Sequence, residues 1–252
     1  MNIEHRTSNV EHPMHQATAG GGMVGTAFSL REVLAGYAPL LLIDSSSSVV
    51  FVGVWRTPGE SPVWERCEEE AGSGVFRGVE RALAKAGGLT LAEVRGFAFG
   101  EGPGSVLGIR TAAAAIRTWR AVNPGVSVFS FQGLSIVTEA LARPGMALIV
   151  DARRDSWHVA RAGQPLARMA SADLAALAGG GGGEGLALPE GFRHWTPAPA
   201  GAVSIPYDLP EALTAMADRP FFRPTTEPEA FLYDVPQYAL WTPKVHQAPD
   251  VK

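Results

Sequence analysis

The chain has 252 residues, 46% of them hydrophobic, enough for one large or two modest globular domains. Its formal charge of −4 and its dispersed Lys and Arg argue against a stand-alone nucleic-acid binder, because phosphate contacts need clustered cations. A single cysteine, Cys67, excludes a disulfide framework and a thiolate metal cluster, and the apolar runs are too short to cross a bilayer, so a soluble, cytoplasmic protein is expected.

Residues 1 to about 37 read as a flexible polar extension: Met1 to Gly25 has few large apolar residues, no signal-peptide core and a Gly20-Gly21-Gly22 run. His5, His12 and His15 lie there without other metal-ligand types around them. The fold is expected to begin at Leu40-Leu41-Leu42-Ile43-Asp44, a buried-type strand ending in an acid. Ser45 to Ser48 form a turn, Val49 to Trp55 a second strand and Val63 to Cys67 a third. Phe76, Val79, Leu83 and Ala86 recur at helical spacing, so a helix is predicted over about 73–86, stopped by Gly87-Gly88. A strand over 94–99, a helix over 105–121, a strand over 126–131 and a helix over 134–142 complete a first half, closed by Pro144-Gly145. Leu148-Ile149-Val150-Asp151-Ala152 then echoes Leu41-Leu42-Ile43-Asp44-Ser45, with Trp157 to Ala160 as a return strand. Beyond it come a short helix over 171–178, a glycine linker over 179–183, and a proline-rich stretch to Pro249. That stretch holds a helix over 211–217, capped by Asp208 or started at Leu209-Pro210, aromatics over 230–241 and a loose tail over 245–252. The expected division is an extension (1–37), a first lobe (38–145), a degenerate second lobe (146–244) and the tail.

The stretch Gly100-Glu101-Gly102-Pro103-Gly104-Ser105 stands out. Strand, glycine turn and helix N-terminus together make an anion-ready corner, since free amides and the helix dipole point out of it, and Ser105 is a natural N-cap. The spacing is neither the dinucleotide G-x-G-x-x-G nor a Walker A loop, and no serine sits at the centre of G-x-S-x-G. A tight turn beside a closely packed helix explains the glycines equally well. On the helix that follows, Gly108, Ala112, Ala115 and Trp119 form one stripe and Val106, Ile109, Ala113 and Ile116 another. Such a helix is buried between layers or packs its small-residue face on a partner.

Asp44 and Asp151 each end a strand beside a turn. Such acids orient a metal-bound nucleotide phosphate or cap the turn, and Arg153 and Arg154 are close enough to pair with Asp151. His158 and His194 are lone histidines near aromatics, and no His-x-x-x-His or His-Glu-x-x-His pair is present, so no catalytic residue and no metal site is assigned.

These residues resemble the TsaB family, also called YeaZ. Phe97 to Arg110 is similar to its G-x-G-P-G-S-[FY]-T-G-[LV]-R signature, with Val106 and Leu107 in place of the aromatic and the Thr. Leu42-Ile43-Asp44-Ser45-Ser46 resembles its opening I-D-T-S/A, and Val150-Asp151-Ala152-Arg153-Arg154 its D-A-R-R segment. Glu227-Pro228 and Phe231-Leu232-Tyr233 stand near the place of its late E-P-x-Y-L segment. The resemblance implies an α/β, actin/Hsp70-like (ASKHA, ribonuclease H-like) two-lobe fold, here with the second lobe reduced and divergent. It implies work in making N6-threonylcarbamoyladenosine at position 37 of tRNA, as a non-catalytic scaffold of a TsaD-like catalytic subunit with a TsaE-like ATPase. Contact with tRNA would be indirect, through the complex, with a homodimer as the alternative assembly when the partner is absent. The partner face would involve the first-lobe helices, with Phe76, Arg77, Glu80, Arg81, Gly108, Ala112, Ala115 and Trp119 as interface candidates. No cofactor is assigned to such a scaffold. The rival reading is an ATP-dependent small-molecule kinase or ATPase of the same fold, taking ATP or ADP with Mg at Asp44, Gly102, Gly104 and Ser105. A glycopeptidase, a label attached to this superfamily, has no catalytic residues here to support it.

Overall fold

A computed structural model describes residues 26–174 and 185–231. The histidine-bearing leader, the 179–183 glycine run and the 245–252 tail lie outside the described residues, as do the aromatics beyond Phe231.

Five helices and eleven strands are described: α1 (Leu30–Tyr37), β1 (Leu40–Asp44), β2 (Val50–Trp55), β3 (Val63–Cys67), α2 (Ala71–Lys85), β4 (Gly96–Gly100), α3 (Val106–Val122), β5 (Ser127–Phe131), α4 (Gly133–Ala140), β6 (Met146–Asp151), β7 (Ser156–Arg161), β8 (Ala167–Ala170), β9 (Gly185–Pro189), β10 (Val203–Ile205), α5 (Leu209–Ala215) and β11 (Arg223–Pro224). Residues 171–174 are also helical. The first sheet has the order β11-β5-β4-β1-β2-β3 and the second β10-β9-β6-β7-β8.

The two sheets repeat one topology. β1 pairs antiparallel with β2 and parallel with β4, and β6 pairs antiparallel with β7 and parallel with β9. Each central strand ends on its acid at an equivalent register position, Asp44 opposite Phe51 and Asp151 opposite Trp157. The echo between residues 41–45 and 148–152 is therefore an echo in space. The lobes differ in their crossovers. From β4 to β5 the chain passes through the 17-residue α3, whereas from β9 to β10 residues 190–202 form turns without a helix. This is the sense in which the second lobe is reduced.

Strand periodicity divides the interior into layers. On β1, Leu40 and Leu42 face the core shared by α1, α4, α5 and the facing sides of both sheets, while Leu41 and Ile43 face α2 and α3. The far side of the second sheet carries a smaller cluster around Trp157 and Leu174. Both faces of β1 are buried, which explains its uninterrupted apolar run.

One boundary expected from the sequence is corrected. Residues 30–37, read as extension, form α1, with Leu30, Val33 and Leu34 buried in the inter-sheet core. Ser29 makes a capping box with Glu32: its Oγ accepts from the Glu32 amide (3.2 Å), and Glu32 Oε2 accepts from the Ser29 amide (2.7 Å). Phe28 pairs with Phe222 in a backbone bridge and the Arg31 amide donates to the Ala217 carbonyl, so the start of the helix is tied down. The helix depends on tertiary packing, since its short apolar stripe gains stability only against the inter-sheet core.

Because α1 docks by its cap and one apolar stripe, Ser29→Ala should lower stability by about 0.5–2 kcal/mol. Urea unfolding would show this as a lower midpoint with an unchanged slope.

Candidate functional site

The glycine loop lies against the β1–β2 turn, backbone on backbone. The Ser105 amide donates to the Ser46 carbonyl at 2.7 Å. A Cβ on Gly104 would stand 2.2 Å from the Ser46 oxygen, and one on Gly108 2.1 Å from the Ser45 oxygen, so no side chain fits at either position. Gly104 also has φ of 150°, in the region that favours glycine. Ser105 caps α3 as its sequence predicts, accepting from the Gly108 amide at 3.3 Å. The glycines thus let α3 begin close to the turn after Asp44.

Asp44 points into the seam between the lobes. It is 1% exposed. Its Oδ1 accepts from the Ser46 amide (2.9 Å) and its Oδ2 from the Tyr207 hydroxyl (2.6 Å). Tyr207 arrives from the second lobe, edge-on to Phe51 and Phe192, and fills space that Gly133 leaves by having no side chain. Burial pushes the Asp44 carboxyl above its usual range, against the bonds from Tyr207 and Ser46 that favour the charged form. Burial, then the neighbouring carboxylate, pushes the Tyr207 hydroxyl well above its own. Of the four residues considered for nucleotide, Gly104 and Ser105 meet the turn two residues beyond Asp44, but Asp44 itself faces tyrosine rather than solvent. Nothing in the sequence marks Tyr207: it sits alone between two prolines, 163 residues from its partner.

The outer face of α2 and α3 is different in kind. Phe76 is 51% exposed, Val106 51% and Leu107 76%. Phe76 stacks edge-on against Trp119, with ring centroids 6.3 Å apart, and Trp119 leans in turn on Phe97 of β4. Two shallow apolar grooves flank this pair. One is lined by Arg110, Thr111, Ala114 and Thr118, the other by Val79, Leu83, Leu89 and Leu91. Phe76, Arg77, Glu80 and Arg81 are exposed here. The small-residue stripe is corrected. Gly108, Ala112 and Ala115 are buried against this chain's own core, so the helix turns a different face outward, built on Leu107, Arg110, Ala114 and Thr118. Trp119 lies at the border of the two. The inversion follows from Gly108, whose contact with Ser45 sets the rotation of the helix.

The other flank of α3 is strapped by the chain's return. Arg117 donates to the Pro228 carbonyl at 2.6 Å and pairs with Glu229, Arg120 donates to the Thr226 carbonyl, and the Phe231 amide donates to the Glu101 carbonyl at 2.7 Å.

Asp151 does not pair with the guanidinium groups of Arg153 and Arg154. It accepts backbone amides from Arg153, Trp195 and Thr196, and although partial burial alone would raise its carboxyl, these bonds hold it below the usual range. His194 Nδ1 lies 3.1 Å from the Thr196 carbonyl. Among the described residues no three His, Cys, Asp or Glu side chains gather as a metal ion requires, and no helix is long and apolar enough to cross a membrane.

Two outcomes follow for the seam. Tyr207→Phe leaves Asp44 Oδ2 buried without its partner and should cost about 1–3 kcal/mol in urea unfolding. The folded chain holds the Asp44 proton more tightly than the unfolded chain does. The stability linked to that proton is present below about pH 3.8 and is lost as pH rises through the raised folded value. The stability of the native chain minus that of Asp44→Asn should therefore fall with rising pH over that window, measured by urea unfolding at successive pH values.

Comparison with known proteins places this architecture. The family model TsaD, tRNA N6-adenosine threonylcarbamoyltransferase, matches residues 75–177. The structure of YeaZ from Pseudomonas aeruginosa is similar at 22% identity and a TM-score of 0.51, over 71% of this chain and 89% of that one. A crystal structure of an uncharacterized protein with similarity to peptidase YeaZ, also from Pseudomonas aeruginosa, is similar at 21% identity and a TM-score of 0.50, over 70% and 88%. No curated protein matches the chain. The TsaD-model match, which spans most of α2 and the whole of α3, and the two-sheet architecture shared with YeaZ bear out the resemblance to the TsaB (YeaZ) family carried by the glycine loop, with the ASKHA-type fold it implies.

Proposed function

We propose that this chain is a non-catalytic partner of a TsaD-type subunit in N6-threonylcarbamoyladenosine modification of tRNA, docking through the outer face of α2 and α3. The observation that carries the reading is the Phe76–Trp119 ridge with its two apolar grooves. A half-exposed Phe on α2 and, at the start of α3, a Leu that is 76% exposed and a Val that is 51% exposed cost solvation unless something covers them. Arg77, Glu80, Arg81 and Arg110 rim these residues, giving the apolar centre and polar edge of a protein interface. The helical geometry also suits a helix-on-helix partner, whose ridge would lie in the groove beside Ala114. The match of residues 75–177 to the TsaD model and the fold shared with YeaZ support the pathway. A TsaE-like ATPase completes the complex, the cytoplasm is the site of action that goes with tRNA, and self-association through the same face is the alternative assembly when the partner is absent.

The rival ATP-dependent reading has less support, since Asp44 is engaged by Tyr207 inside the seam. Calorimetry with Mg-ATP on the isolated chain separates the two, and saturable binding would favour the rival.

Phe76→Asp should weaken co-purification with the TsaD-type subunit of the same organism by about 30-fold or more, the effect of removing a central aromatic anchor. Its unfolding midpoint should change little, because the ring is half-exposed. Absence of any complex with the native chain, together with unchanged tRNA modification after depletion, would sink the proposal.

A further inference from the structure

Two loops of the second lobe, 44 residues apart in sequence, are joined by one carboxylate. Asp151 Oδ1 accepts from the Arg153 amide (2.6 Å), and its Oδ2 accepts from the amides of Trp195 (2.6 Å) and Thr196 (2.8 Å). The hairpin tip between β6 and β7 is strained. Arg153, Arg154 and Asp155 take φ of 63°, 52° and 53°, in the left-handed region that favours glycine. The Asp151 bond and the Ser156 hydroxyl, which donates to the Arg153 carbonyl at 2.6 Å, hold that shape. The product is a stack: the Arg153 guanidinium lies 3.2 Å from the centroid of the Trp195 ring.

Trp195 remains 62% exposed, the largest side chain on the described surface left so open. Arg193 and His194 are exposed just before it in sequence, and Arg154 is exposed next to Arg153. Of the acids in the same loops, Asp151 is filled by backbone amides and Glu190 faces the Ser204 hydroxyl at 3.5 Å, while the exposed Asp155 accepts from the Ser171 amide with its backbone carbonyl only. An exposed indole under a flat guanidinium, flanked by further arginines, suits a ligand with both a π-face and negative charge. An acidic peptide would use the cations and leave the ring idle. An apolar helix would use the ring and bury the cations unpaired.

We propose that the Arg153–Trp195 stack is a platform for an unpaired nucleotide of an RNA, the base stacking on it and the neighbouring phosphates meeting Arg154 and Arg193. The fold brings Arg153 onto Trp195, with Arg154 and Arg193 as their chain neighbours. The proposal stands apart from docking at α2 and α3, and its test uses the full chain alone.

Fluorescence anisotropy with a labelled short oligouridylate should show saturable binding that weakens as salt rises. Trp195→Ala should weaken it about 5- to 150-fold, the effect of losing one stacking partner, while Trp195→Phe keeps most of the affinity. Arg154→Ala and Arg193→Ala should each make the salt dependence shallower, by about 0.7 in logarithmic slope for a single strand. Phe76→Asp should leave RNA binding unchanged, so failure of the partner reading would not be mistaken for failure here. The proposal is overturned by no saturable binding of the native chain, by Trp195→Ala binding within twofold of it, or by duplex RNA or polyglutamate binding as tightly as the single strand.

Discussion

The contact between the Ser45 and Ser46 carbonyls and the start of α3 sets most of what this molecule presents to its surroundings. Backbone meets backbone there, at distances where a Cβ on Gly104 or Gly108 would overlap the carbonyl oxygen. The bond from the Ser105 amide then fixes the depth and rotation of the helix. With Gly108 turned inward, Ala112 and Ala115 follow on the same face and pack against the first sheet. Leu107, Arg110, Ala114 and Thr118 are left outward, and Trp119 is held between Phe97 below and Phe76 above. The groove beside Phe76 is a consequence of that rotation. Turning the helix by about a third of a revolution would bury Leu107 and open the small-residue face instead.

The two lobes share one apolar core, and the polar element within it is Asp44 with Tyr207. A carboxyl in such a place survives because both its oxygens accept hydrogen bonds, from a turn of its own lobe and from a ring of the other. The capped helix α1, the Phe28–Phe222 bridge and the strap over 225–231 bind the periphery in the same way, by joining sequence-distant segments.

Repetition of one topology puts Asp44 and Asp151 at matching places and then gives them opposite environments. Asp44 is enclosed, so burial raises its carboxyl. Asp151 lies at the surface, where three backbone amides outweigh its partial burial and lower it. The first acid joins the lobes. The second gathers the D-A-R-R hairpin and the 193–196 loop into a surface that neither loop would form alone.

The sequence by itself determined the elements whose signals are local. The apolar run at Leu40–Asp44, the helix read from the spacing of Phe76, Val79, Leu83 and Ala86, the capped helix after Ser105 and the repeated strand at Met146–Asp151 all follow from periodicity and turn chemistry, and all are found within a few residues of where they are expected, although Phe76 itself faces outward. Asp208 caps α5 as its position suggests. The glycine loop carried the family resemblance in a dozen residues, with the two-lobe fold implied by it. What only tertiary structure decided is whatever depends on a partner far along the chain. Periodicity places Gly108, Ala112 and Ala115 on one stripe but cannot say which way the stripe faces, because that is set by a carbonyl of Ser45 some sixty residues earlier. Tyr207 has no motif at all, since its role exists only once α4 leaves space at Gly133 and β1 delivers Asp44. Arg153 becomes a neighbour of Trp195 because one carboxylate accepts amides from two loops, a relation in space that no linear spacing records.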